Sequence, residues 1–540
     1  MASGEIGRAS IFLASGTVVS RLLGFVRSIV LAAAIGLVGS ASADAFAVAN
    51  QLPNTVYTIV AGGVLTAVLV PQIVRAGLQA DGGAAYINKL LTIALVILGA
   101  ATLVATLAAP LLTLLYGTQL DPDTLALATA FAWWCLPQIF FYGLYTLLGE
   151  VLNARKSFGP YTWSPVLNNV VALAGLAALM IVYGADPDGT RDPSSWTPDM
   201  IALLGGTATL GVAAQALVLF WFWRRIGLRY RPDFRWRGVG LGDAGRMASW
   251  TFGMLLLTTF AGIVQTNVAG IASDSAASVA TLAPAWLIFM LPHSVIAVSI
   301  GTAYFTRMSE HAAARDLVRL RDDIGSAIRG IGLLMVVSAA IMIVCAYPMA
   351  AVFAPGNFDS VSAFGNVIIG YLIGLVPFST LFLVQRSFYA LGDTRTPFFF
   401  TLFQVVLFVG LALACATLPV DLIAVGIAVS TSIAGTLQLA LALILLRRRL
   451  GQLGFRAVVV SFVRDSVAIV PALLAGAVLL VALGGTTAGG FAVDSRLGAI
   501  VSMLAIGAAM GLLYIGGLWL LRSPELRTFA APLVARLRRR

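Results

Sequence analysis

Charge is what this 540-residue sequence has least of: Asp, Glu, Lys and Arg make up 11% of it, and 59% is hydrophobic. A soluble domain carries roughly 25% charged residues. The mean hydropathy is +0.95. Apolar runs of about 20 residues, each long enough to cross a bilayer, recur from end to end and exclude an ordinary soluble protein. Lysine is nearly missing, with two (Lys89 and Lys156) against 32 arginines. Neither lysine follows a glycine, so there is no G-x-x-x-x-G-K phosphate loop and no ATP hydrolysis by that route. Cysteine occurs three times, as Cys135, Cys345 and Cys415, always inside an apolar segment and never as C-x-x-C. Such cysteines read as small buried hydrophobes, with no disulfide framework and no metal site. No nucleophile–base constellation stands out, so an enzyme is not expected. The first apolar segment, from about Ser10 to Val38, is too long for a signal h-region and ends in no cleavage site.

What is present is a series of fourteen candidate membrane helices, at about 10–38, 43–73, 90–116, 124–153, 160–184, 200–223, 247–272, 279–305, 327–353, 361–391, 396–418, 421–446, 461–484 and 496–521. The fold class is an all-α polytopic membrane protein. The N-terminus, the loops after even-numbered spans and the C-terminal tail hold thirty basic residues, against Arg191 and Arg496 in the opposite loops. The positive-inside rule then puts both termini in the cytoplasm of a plasma (inner) membrane protein. The net charge of +11 is topology and not a nucleic-acid footprint.

The chain repeats itself. "LPNTVYTIVAGG" (Leu52 to Gly63) resembles "LPHSVIAVSIGT" (Leu291 to Thr302), with Pro53 and Pro292 239 residues apart. "NARKSFGP" resembles "LGDTRTP", with Pro160 and Pro397 237 apart. Two matches at nearly one offset make spans 1–6 and 7–12 duplicated, pseudo-symmetric six-helix lobes with two C-terminal helices added. The expected division is a first lobe at 1–226, a basic linker at 227–242, a second lobe at 243–449, and the last two spans with a basic tail at 450–540. Six spans per lobe give parallel repeats, an arrangement in which transporters bind substrate between the halves.

Two basic residues escape the topology. Arg21 and Arg27 lie inside the first span, where an arginine costs about 2.5–3.5 kcal/mol on insertion scales. On a helical wheel Thr17, Ser20, Arg21, Gly24, Arg27 and Ser28 share one face. At 1.5 Å per residue Arg21 is about 16 Å into the span and Arg27 about 9 Å further. Snorkelling does not reach from that depth, and ion pairing finds few acids in the spans: Glu150, Asp44 and Asp274. The arrangement points to a water-filled cavity that receives an anion, for which the arginine fork matches phosphate oxygens. Gly24 leaves a small-residue position between the arginines.

Pro53 and Pro292 are candidate hinges, since an internal proline frees a carbonyl and bends the helix. His293 stands at the repeat position of Asn54, and reads as a packing hydrogen-bonder before a proton relay. Glu150 and Arg386 fall near one another in the repeat and form a candidate gate pair. The loop "ADPDGTRDPSSWTPD" (Ala185 to Asp199) reads as a solvated external loop, and "RRIGLRYRPDFRWRG" (Arg224 to Gly238) as a basic stretch lying on anionic lipid.

"SRLLGFVR" (Ser20 to Arg27), "DAFAVANQLPN" (Asp44 to Asn54), "LVPQ" (Leu69 to Gln72) and "FYALGDTRTP" (Phe388 to Pro397) resemble the MurJ (MviN) family of the flippase and multidrug-exporter superfamily. The arginine-for-lysine bias suits an actinobacterial member. The resemblance implies a lipid II flippase of peptidoglycan synthesis with two lobes around a cationic cavity and a lipid-tail groove at the last two helices. It makes Arg21, Arg27 and Asp44 functional residues, with Asn54 of the L-P-N motif beside them. Many relatives carry further arginines and acids where this chain has Tyr57, Thr58, Trp286, Leu287 and Met290. No cofactor is implied. Coupling to membrane potential or to a monovalent cation is compatible with the sequence, as is association with cell-wall synthesis or division proteins. The competing readings are a flippase for another polyprenyl-diphosphate glycan, a cation-coupled drug exporter, and a non-transporting scaffold for cell-wall enzymes. An exporter of cationic drugs calls for acidic cavity residues, and a scaffold has no use for intramembrane arginines.

Overall fold

The computed structural model describes residues 3–61, 84–155, 157–225, 227, 230–234, 245–451 and 454–527. Every regular element among them is helical, as lipid demands: a spanning helix satisfies its own backbone hydrogen bonds where no water can. Thirteen described helices are long and apolar enough to cross a membrane. They correspond to thirteen of the fourteen expected spans. The second expected span, 43–73, is described only in its first part, and the "LVPQ" motif lies outside the described residues, as do most of the basic linker and the basic tail beyond Arg527.

By packing, the chain forms two compact units, Met1–Asp274 and Ser275–Arg540. The first contains α1 (Ser3–Ile35), α2 (Ala41–Val60), α3 (Ala84–Leu107), α4 (Ala109–Tyr116), α5 (Pro122–Cys135), α6 (Gln138–Ala154), α7 (Phe158–Tyr183), α8 (Pro198–Arg225) and α9 (Gly245–Gly270). The sequence division put α9 in the second lobe, whereas packing groups it with the first. The physical reason is polar as well as apolar. Asn267 of α9 accepts from the Thr118 amide at 2.8 Å and donates to the Leu115 carbonyl at 2.8 Å, at the end of α4. The described part of the basic stretch docks on α3. The Tyr230 hydroxyl and the Asp233 amide both meet Thr92 of α3, and the Arg231 amide donates to Asn88.

The second unit contains α10 (Val279–Pro292), α11 (Val298–Ala313), α12 (Leu317–Val344), α13 (Ala346–Phe353), α14 (Phe358–Leu372), α15 (Leu375–Ala390), α16 (Arg395–Cys415), α17 (Ile423–Leu450), α18 (Phe455–Ala482) and α19 (Arg496–Leu520). Its last two long helices pack on one another around Ala468, Ala472, Ile506, Met510 and Tyr514, and on Leu333 of α12.

The repeat seen in the sequence is written into the helix breaks. The third span breaks at Ala108 (φ −86°, ψ 11°), and 237 residues later the ninth breaks at Cys345 (φ −87°, ψ 8°). The fourth breaks at Leu136 (φ −57°, ψ −31°) and the tenth, again 237 on, at Ile373 (φ −55°, ψ −37°). Matching dihedrals at one offset are a stronger signature than the two short sequence matches that raised the idea.

The "GDTRTP" element is a cap. Asp393 accepts from the Thr396 amide at 2.9 Å and its hydroxyl at 2.8 Å, and pairs with Arg449 at the end of α17. Partial burial opposes its ionisation, but these hydrogen bonds and the guanidinium outweigh it and hold the carboxyl below the ordinary range. A depressed carboxyl stabilises the fold above its unfolded pKa, and that contribution is lost as pH falls through the folded value. Asp393→Asn should therefore lower thermal stability at pH 7 by up to about 1 kcal/mol, the worth of a partly exposed ion pair. The gap to wild type should close when both are melted in detergent at progressively lower acid pH. A constant gap down to pH 3 would contradict this account.

Candidate functional site

Helix α1 lies along α7. Gly16 sits under Trp163, where an added Cβ would come within 2.8 Å of the indole nitrogen. One turn on, Asn169 of α7 donates to the Ser20 carbonyl at 2.9 Å. Gly24 comes next on the same face, and a Cβ there would meet the Asn169 amide at 3.9 Å, ordinary contact. Half of the polar stripe is thus spent on packing, with Ser28 donating back to the Gly24 carbonyl at 3.2 Å. As a hinge or gate candidate Gly24 shows no steric need for glycine.

The arginines sit beside that seam. Arg21 is exposed, flanked by exposed Val18 and Leu22. Arg27 is half-buried, and the titratable groups in its electrostatic neighbourhood are the Tyr142 phenol and the Cys135 thiol. Among the described residues Arg27 has no ion pair and no hydrogen bond. The acids in or near the spans do not pair with it. Asp44 is fully buried in the first turn of α2 and accepts from Ser273 at 2.7 Å. Asp274 lies in the left-handed region (φ 69°), its carboxyl raised by partial burial and then by the negative charges of Asp121 and Asp192.

Around Arg27 the first unit offers a neutral hydrogen-bonding chain, Tyr142, Gln138 and Thr209, that sequence reasoning passed over. Tyr142 donates to Gln138 at 3.1 Å, and Gln138 donates to Thr209 at 3.1 Å. Tyr57 meets Thr146 at 2.6 Å and lies 5.8 Å from the Tyr142 ring. Asn54 is exposed and Thr58 half-buried on α2, and Thr58 donates to the Asn54 carbonyl at 2.6 Å. Glu150 is half-buried on α6. The doublet Asn168-Asn169 in an otherwise apolar span was the available signal: polar amides in a membrane helix need partners.

One end of this unit adds detail to an expectation. The stretch at 185–199 is largely exposed, as expected of a loop, and buried Asp186 and Trp196 pin it down as a folded cap. Asp186 accepts from the amides of Thr190 and Arg191, both at 2.9 Å. Ser42 donates to the Arg191 carbonyl at 2.9 Å, and the Trp196 indole donates to Ser42 at 2.8 Å. Phe131 links Phe46 and Trp196 edge to face. The cap approaches so closely that a Cβ on Gly36 (φ 82°) would lie 2.5 Å from the Gly189 Cα. Gly36→Ala should cost about 2 kcal/mol or more, combining left-handed strain with a backbone clash. Gly99→Ala, where nothing lies within 4 Å, is the matched control and should melt at or slightly above wild type. Equal melting temperatures for the two variants would refute the close-approach account.

In the second unit the proline candidates separate. Pro53 is buried and α2 continues as α-helix to Val60. At Pro292 the helix gives way to a π-helical turn, His293–Ala297, before α11 resumes. A π-turn beside proline is a recognised local weakness of a helix. His293 is buried, 3.0 Å from the Ser379 hydroxyl through Nδ1, and packed edge-on against Phe378 and Phe382. That is the packing arrangement. Trp286 stacks on Phe289 and meets Tyr371 and Phe378. Arg386 lies over the Phe382 ring at 4.5 Å and near Phe305 at 5.3 Å. On the outside of this unit an apolar groove of about 560 Å³ runs between α15, α17 and α18, lined by Val376, Pro377, Leu439, Leu443, Val463 and Val467.

The class that this architecture defines is that of the multi-span helical flippases and exporters. A solved structure titled "Lipid II flippase MurJ, inward closed conformation" matches with TM-score 0.71 and 18% identity, over 97% of this chain and all of that one. A multidrug resistance transporter of the MATE family in the MOP superfamily matches with TM-score 0.63 and 16% identity, over 81% and 95%. At those identities the likeness speaks for fold. The family is shown by sequence: the model "Lipid II flippase MurJ" matches residues 31–497, and the chain belongs to that family. The probable lipid II flippases of Haemophilus influenzae and Rickettsia prowazekii are both 25% identical, over 78% and 80% of this chain and 82% of each relative. The matched region begins after Arg21 and Arg27, so the case for the two arginines rests on the geometry above.

Proposed function

We propose that this protein flips lipid II, the lipid-linked peptidoglycan precursor, between leaflets by alternating access. The observation that carries the reading is Arg27: a guanidinium inside a membrane helix, half-buried, with no acid partner among the described residues. A charge so placed is stable only if something anionic or wet comes to it, and a diphosphate offers the matching oxygens. Arg21, two turns earlier, is the second donor, and Asn54, Thr58 and Tyr142 offer neutral hydrogen bonds to a sugar-peptide headgroup. Asp44 acts by fixing the start of α2 instead of touching substrate. The apolar groove at α18 suits a polyprenyl tail that stays in lipid while the headgroup crosses. No bond is made or broken in this cycle; the work is desolvation and reorientation of an anion.

The arginine distribution supports cytoplasmic termini. With that orientation an inside-negative potential favours outward movement of the headgroup by about 2.3 kcal/mol per charge per 100 mV. A monovalent cation is the alternative driver. A Glu150–Arg386 gate belongs to the same proposal; charge reversal at both positions should rescue either single reversal. Partner proteins would come from cell-wall synthesis or division. A flippase for another polyprenyl-diphosphate glycan shares all the chemistry invoked for Arg21 and Arg27. A drug exporter shares only the fold.

The test is translocation of fluorescent lipid II in vesicles reconstituted with the purified chain, beside a polyprenyl diphosphate bearing a different glycan. Selective flipping of lipid II is expected. Preference for the other glycan would move the reading to the second flippase, and flipping of neither would overturn both.

A further inference from the structure

A second basic site lies away from the first. At the arginine-rich end of the second unit a cavity of about 460 Å³ opens between α11, α12, the start of α18 and the segment after α19. Its polar lining is Tyr304, Ser326, Arg329, Ser461, Arg464 and Glu525. Both guanidinium groups converge on one carboxylate. Arg329 Nε is 3.3 Å from Glu525, and Arg464 pairs with the other oxygen. All three side chains are largely withdrawn from solvent, at 25%, 16% and 12% exposure. Arg329 also reaches Ser326 at 3.2 Å, and Arg464 reaches Ser461 at 3.5 Å. The Arg464 Nε is buried with no acceptor.

Two arginines carry ten N–H donors, more than one carboxylate can satisfy. Glu525 is held by a short segment after the last helix, where Ser523 also donates to it at 3.1 Å. Asp465, next to Arg464 on α18, is fully buried and outside the cavity lining. The volume is that of a small-ligand site. Its lining lies beside the arginine-rich segment after α19, and paired guanidinium forks are the usual receptor for a phosphate.

We propose that this cavity binds the phosphate of an anionic phospholipid from the leaflet on the arginine-rich side, with Glu525 as an internal competitor for the same two arginines. The site is independent of the lipid II reading and makes no use of Arg21 or Arg27. A purely structural latch and a ligand site part company in sign. Removing the Glu525 charge frees both guanidinium groups, so a ligand site gains affinity, whereas a latch only loosens.

The experiment uses the full chain in neutral detergent, with intact-protein mass spectrometry counting retained phosphatidylglycerol against phosphatidylcholine. Glu525→Gln should raise phosphatidylglycerol affinity roughly tenfold, the order expected from freeing one charge-assisted pair. Adding Arg329→Gln and Arg464→Gln to Glu525→Gln should abolish the gain, and phosphatidylcholine should be indifferent throughout. Inorganic phosphate, as a second probe, should displace the lipid only at large excess. If it binds as well as phosphatidylglycerol, the lipid source is wrong and the site is one for free phosphate. If Glu525→Gln melts like wild type and gains nothing, or if the triple variant keeps the gain, the proposal is overturned. Should Glu525→Gln fail to fold, Glu525→Asp keeps the charge with a shorter reach and must show a smaller gain in the same direction; no gain there also overturns it.

Discussion

Arg27→Met should leave the protein folded, melting at or above the wild-type temperature, while translocation falls by about two orders of magnitude. The two effects have one cause. The structure gives Arg27 no ion pair among the described residues, so a methionine of similar length keeps the packing against α5 and α6 and removes a desolvation cost. Transport loses one or two hydrogen bonds to a charged group, each worth about 1.5–3 kcal/mol. Arg27→Lys keeps the charge and loses the fork, and should fall between the two. The check is complementation of flippase-depleted cells alongside vesicle translocation and a melting curve. A Met variant that flips lipid II within twofold of wild type would remove Arg27 from the mechanism. A Met variant that unfolds would mean the arginine has a structural partner after all.

The second large effect is expected at Asp44, with the opposite signature. Asp44→Leu should destabilise the first unit by about 1–3 kcal/mol, because it leaves the half-buried Ser273 hydroxyl without its acceptor and removes a buried acid from the first turn of α2. Activity should fall with stability and not ahead of it. Asp44→Asn retains an acceptor and should recover most of both. A substrate ligand would behave differently: the Asn variant would fold like wild type and still fail to transport. Melting temperature and translocation, plotted together for the two variants, separate these outcomes.

Some of this was plain from the residues. The spans were legible because a bilayer imposes length and apolarity on any helix that crosses it, and thirteen of them are there. The arginine pair at 21 and 27 was legible for the same reason, since a charge in such a run has no bland explanation. The duplication showed faintly in two proline motifs and then clearly in the helix breaks at Ala108 and Cys345.

What the sequence left open was the partner of each polar group. Asp44 meets Ser273, Asn169 meets the Ser20 carbonyl, and Trp196 meets Ser42, across 229, 149 and 154 residues of chain. No local pattern encodes such distances, so a buried Asp44 looked the same as an exposed one, and the exposed stretch at 185–199 gave no sign of the contacts that pin it down. From the sequence alone came the apolar runs, the arginine-rich segments between them and the two arginines inside the first run, because hydrophobic length and charge act locally. Tertiary packing alone decided which polar groups find partners and which, like Arg27, have no ion pair among the described residues.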